Sequence, residues 1–129
     1  MQRRDINSPE ARLPAPHTQY SMAVEVSGGS RTLYISGQIP IAPDGSVADS
    51  ALEQCRQAWS NIVAQLRAAD MGVDNIVKIT TILPAHAFIP ASRTARAEAI
   101  GDRRPASTLI VAGLANPAWN VEIEVIACA

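Results

Sequence analysis

Residues 49–69 read DSALEQCRQAWSNIVAQLRAA, and this stretch decides the fold. Leu52, Cys55, Trp59, Ile62, Val63 and Leu66 recur at three- and four-residue spacing, while Glu53, Arg56, Gln57 and Arg67 fall off that stripe. The period is that of an α-helix with a single apolar face. It predicts a helix over about Asp49 to Ala69, with Asp49 or Ser50 as N-cap and Gly72 just past its end as the stop. A helix with one apolar face must bury it against another layer, here a sheet.

The flanking segments supply that sheet. Tyr20 to Val26 and Arg31 to Ile35 read as two strands, joined by a Ser27-Gly28-Gly29-Ser30 hairpin turn whose glycines tolerate positive φ. Ile76 to Leu83 is rich in β-branched residues, as a buried strand is, and Pro84 ends it. Ala91 to Ile100 reads as a shorter helix stopped by Gly101, followed by strands over Thr108 to Leu114 and Asn120 to Cys128. The predicted order is β-β-α-β-α-β-β, an α+β domain over residues 19–129 preceded by an irregular arm over residues 1–18.

The last strand carries functional information. Val121, Ile123, Val125 and Ala127 share one face and must meet the helices; Glu122, Glu124, Ile126 and Cys128 share the other. Two carboxylates beside apolar groups suit a face covered by another subunit, leaving a polar cleft. The alternative is a solvated sheet face.

Composition narrows the functions. A chain of 129 residues is one domain. With 18% charged and 47% hydrophobic residues it is not disordered, and apolar surface is left over for contacts between subunits. A net charge of −1 provides no basic field for nucleic acid or a membrane surface. Cys55 and Cys128 have no metal-site spacing and read as free thiols, with Cys128 near the terminus and accessible. No apolar run follows Arg3-Arg4, so no secretory signal is read there and the cytoplasm is the expected compartment. Phosphate-binding, zinc-protease and nucleophile-elbow motifs are absent, and His17 and His86 stand alone in loops. The residues that remain as candidates are Tyr20, Ser36, Gly37, Gln38, Ser107 and Glu122.

Several phrases, in order, resemble the RidA/YjgF family of enamine/imine deaminases. They are Gln19-Tyr20-Ser21-Met22-Ala23-Val24, Leu33-Tyr34-Ile35-Ser36-Gly37-Gln38-Ile39-Pro40, Asn75-Ile76-Val77-Lys78-Ile79-Thr80-Thr81 and Val121-Glu122-Ile123-Glu124-Val125-Ile126-Ala127. The resemblance implies a chorismate-mutase-like fold with two helices on one face of the sheet. It also implies a homotrimer whose sheets form an inner barrel, small-molecule clefts between neighbouring subunits, and hydrolysis of reactive enamine/imine intermediates such as 2-aminoacrylate to 2-keto acids and ammonia without metal or organic cofactor. By the same resemblance Glu122 positions water, and Tyr20, Ser36 and Gly37 bind substrate.

One departure weighs against typical activity. The family's Pro-Ala-Arg-Ser motif reads Pro105-Ala106-Ser107-Thr108 here, so the Arg that forks onto a substrate carboxylate is Ser107. Charge-assisted hydrogen bonds are worth about 1.5–3 kcal/mol each, so efficient turnover of 2-aminoacrylate is not expected unless Arg103, Arg104 or an arginine from another subunit substitutes. Three readings stay open: a metal-free hydrolase of C–N bonds, a non-catalytic trimer that binds a small metabolite, and an interaction or chaperone-like protein.

Overall fold

A computed structural model describes all of residues 1–129. Ser50 opens the helix that the periodicity predicts: its Oγ accepts from the Glu53 backbone N–H at 3.2 Å, and α1 runs Ala51–Ala68. Cys55, Trp59, Ile62 and Leu66 on its stripe are all buried. The surface they cover is a four-stranded sheet in the order β3-β6-β4-β5, formed by β3 (Thr32–Gln38), β6 (Glu122–Cys128), β4 (Ile76–Leu83) and β5 (Ala106–Val111). β3 and β4 flank β6 antiparallel, whereas β4 and β5 are parallel. A parallel pair needs a crossover, and α2 (Ile89–Ile100) supplies it. The alternation read from the last strand holds: Val121, Ile123, Val125 and Ala127 are fully buried against the helices.

Several boundaries differ from the sequence reading. α2 begins at Ile89 rather than Ala91, because Pro90 is well placed in a first turn. β5 covers Ala106–Val111 rather than Thr108 to Leu114, because its partner β4 ends where Pro84 follows Leu83. The predicted hairpin across Gly28-Gly29 is not formed. β2 (Ala23–Ser27) pairs instead with β1 (Gln2–Ile6), a strand inside the segment read as an irregular arm. Cross-strand charge favours that pairing: Arg4 lies opposite Glu25 and donates to its carboxylate at 3.0 Å. Gly28, at φ 68°, turns the chain from this ribbon into the main sheet. The ribbon is tied down by Arg3, whose Nη1 donates to the Ile76 carbonyl at 3.0 Å. Cys128 is buried at 6% exposure rather than accessible.

Two polar side chains of α1 hold the loops on either side of the β3–β6 pair. Gln54 is 3% exposed. It accepts from the Asn120 N–H at 2.7 Å and donates to the carbonyls of Ala48 at 2.9 Å and Ala118 at 3.2 Å. Two turns on, Asn61 Nδ2 donates to the carbonyls of Ile39 and Ile41, both at 3.0 Å. The entry to β6 and the exit from β3 are thereby fixed relative to the same helix.

Candidate functional site

Glu122 opens β6 and Gly37 lies near the end of β3, where the register slips between Ile35 and Gln38. The slip lets the Glu122 side chain lie across the Gly37 backbone. A Cβ at position 37 would fall 2.8 Å from the Glu122 Cδ and 2.9 Å from its Cγ, so any side chain there displaces the carboxylate. Glycine is required at 37 for this close approach. Ser36 beside it is exposed, and its carbonyl accepts from Gln38 Nε2 at 2.9 Å.

Tyr20 and Ser107 lie elsewhere, in a cleft of about 500 Å³ between α2, the start of β5 and the segment before β2. The segment is held against β5 by the Ser21 N–H, which donates to the Pro105 carbonyl at 3.4 Å. Thr81, Ser92, Arg93 and Arg96 also line the cleft, and His17 stands at it with φ 62°. Arg96 reaches from α2 across the cleft wall: Nη1 donates to Ser107 Oγ at 2.7 Å and Nη2 to the Gln19 carbonyl at 2.5 Å. Its Nε is buried with no acceptor. Burial holds the guanidinium below its ordinary pKa, since a low-dielectric setting disfavours the charged form.

These two groups of residues do not meet within one chain. Ser107 sits beside Ile79 and Val125 in the register, on the sheet face that carries the helices. Glu122 sits beside Ile82 and Ile110, one residue out of phase and so on the opposite face. The second face also presents Tyr34, 75% exposed, and Ile110, 42% exposed. One chain therefore carries two separate candidate half-sites, Gly37–Glu122 and Tyr20–Ser107–Arg96.

Neither arginine next to the motif reaches the cleft. Arg103 donates to Asp74 Oδ1 and to the Ile100 carbonyl, and Arg104 is exposed. Arg96 is the residue that sequence reasoning missed. The available signal was its place on α2, one turn past Ser92 and Arg93, facing the strand where the motif Arg is replaced. No group of three or more His, Cys, Asp and Glu side chains converges as a metal ion would require. No helix is long and apolar enough to cross a membrane.

The geometry agrees with likeness to known proteins. A family model described as Endoribonuclease L-PSP matches residues 10–129. A RutC family protein of Aquifex aeolicus is 44% identical over 78 residues, 60% of this chain and 58% of that protein. A RutC family protein of Pyrococcus horikoshii is 31% identical over 116 residues, 88% of this chain and 90% of that protein. A mouse protein named 2-iminobutanoate/2-iminopropanoate deaminase is 38% identical over 74 residues, 56% of this chain and 53% of that protein. The matches thus span little more than half the length of the Aquifex and mouse relatives. Among solved structures, a conserved Rid family protein of unknown function from Yersinia pestis superposes with a TM-score of 0.84 at 31% identity, covering 100% of both chains.

Proposed function

The chain belongs to the RidA/YjgF family, with that family's chorismate-mutase-like α+β fold, and from this premise we propose that it hydrolyses small reactive imines. The observation that carries the reading is the Glu122 carboxylate lying over a glycine backbone that leaves no room for a side chain. A water held there by Glu122 adds to the C=N carbon and gives up a proton to the carboxylate as the C–O bond forms. The carboxylic acid so formed returns that proton to nitrogen to give the carbinolamine, whose hydroxyl then loses its proton to the carboxylate while the nitrogen is protonated. The C–N bond breaks as the C=O bond forms, and imine plus water has become 2-oxo acid plus ammonia. The carboxylate serves first as base and then as acid.

Hydrolysis needs both half-sites, so the reading includes a homotrimer in which Gly37 and Glu122 of one subunit face the Tyr20–Ser107 cleft of a neighbour. Two observations support it: the half-sites lie on opposite sheet faces, and the face with Glu122 presents Tyr34 and Ile110 to solvent. Binding without turnover is the competing reading, favoured by Ser107 in the motif's Arg position. Nuclease chemistry, which the family model's description mentions, has less support. A net charge of −1 and 4% aromatic residues offer neither a basic track nor a stacking platform.

The test is release of 2-oxobutanoate and ammonia from 2-iminobutanoate generated in situ. Acceleration over the spontaneous rate is expected, with a loss of about 10²- to 10⁴-fold in Glu122→Ala. Equal rates with and without protein would leave the binding reading in its place.

A further inference from the structure

We propose that Arg96, carried on α2, is the carboxylate-binding residue of the cleft, and that serine at position 107 is the condition for it. Two of the five guanidinium N–H groups are spent on Ser107 Oγ and the Gln19 carbonyl. The rest have no protein acceptor, and Nε is buried without one. Arg96 makes no ion pair, whereas Arg3, Arg4, Arg56 and Arg103 each pair with a carboxylate. Nor does any acidic side chain line the cleft, although two arginines do. A partly buried cation with unused donors and no counter-ion is costly in the empty protein and is relieved by an anion. A carboxylate matches the planar fork, and it is the anion that an imino-acid substrate carries.

Ser107 explains why the charge comes from the helix. Its short hydroxyl accepts from Nη1 at 2.7 Å and fixes the direction of the guanidinium. An arginine rooted at 107 would occupy the same space and set a second positive charge beside the first. Positions 96 and 107 thus form a coupled pair: charge from α2, and a small polar acceptor from β5.

This inference rests on the deaminase reading for the identity of the site and names the group by which its substrate is held. The stable product 2-oxobutanoate is the probe, with binding measured by calorimetry and 2-iminobutanoate kinetics measured in parallel. Arg96→Met is expected to weaken 2-oxobutanoate binding about tenfold to a hundredfold and to raise KM more than it lowers kcat. Arg96→Lys should recover part of the affinity, a rescue that a merely structural role would not give. The exchange Arg96→Ser with Ser107→Arg should bind better than Arg96→Ser alone, and it tests the pair should Arg96→Met fail to fold. Unchanged affinity in Arg96→Met, an Arg96→Lys variant that binds no better than Arg96→Met, or no binding by the unaltered protein overturns the inference. Binding through Arg96 without imine turnover would uphold it while removing the deaminase reading. Turnover that needs Glu122 but is indifferent to Arg96 would do the reverse.

Discussion

At the scale of single residues, chemistry depends on what a neighbour leaves room for. Gly37→Ala adds one methyl group where the Glu122 side chain lies. The expected result is a folded protein with imine turnover down about a hundredfold, the usual effect of displacing a reacting group by about 1 Å. Circular dichroism checks the fold and product release checks the rate. Strand phase put Glu122 and Glu124 on one face, and only the family resemblance singled out Glu122 and the Ser36-Gly37-Gln38 phrase as candidates. Arg96 was not legible, because a lone arginine on a helix looks like solvated surface until Ser107 is seen opposite it. Cys55 carries a separate prediction. Burial pushes its thiol up to about 11 from 9.0. The folded state therefore holds the proton more tightly than the unfolded chain. The associated stability is complete below pH 9 and is lost as pH rises towards 11. Between those values Cys55→Ala should lose stability with pH less steeply than the parent in denaturant titrations.

At the scale of elements, α1 and β6 were legible because their apolar residues keep one period, and β4 because of its run of β-branched residues. α1 runs Ala51–Ala68 against a prediction of about Asp49 to Ala69, and Ile76–Leu83 is the strand its β-branched residues announced. The N-terminal pairing was not legible. Arg3, Arg4 and Asp5 resemble a solvated tail, and only the partner strand, with Glu25 opposite Arg4, gives the segment a cross-strand charge pair. Nor does a helical period reveal that Gln54 is buried, since its importance lies in the carbonyls and the N–H it satisfies on a distant loop. Gln54→Leu removes those hydrogen bonds and strands buried backbone groups. A loss of about 1–3 kcal/mol in denaturant unfolding is expected, together with slower imine turnover, because the loop it holds leads directly into Glu122.

At the scale of the whole molecule, the proposed division of the site between two sheet faces would make assembly a condition of activity. Tyr34 and Ile110 belong to neither half-site, yet both stand exposed on the face that carries Glu122. Tyr34→Glu with Ile110→Glu should give folded monomers in sedimentation analysis and no turnover. A sharper experiment uses two inactive variants. Glu122→Ala disables one half-site, and Leu109→Trp fills the cleft that contains the other, where Leu109 is exposed and tolerant of size. Each variant alone should be inactive. Unfolded together in equal amounts and refolded, subunits assort at random. A cleft works when an intact Glu122 from one subunit meets an open cleft on its neighbour, which happens in about a quarter of the interfaces of a cyclic trimer. Recovery of that fraction of the parent rate would mean that the two halves come from different chains. No recovery from correctly assembled mixtures would mean that each chain completes its own site, and a rearrangement bringing Glu122 to the helix-bearing face would then have to be sought.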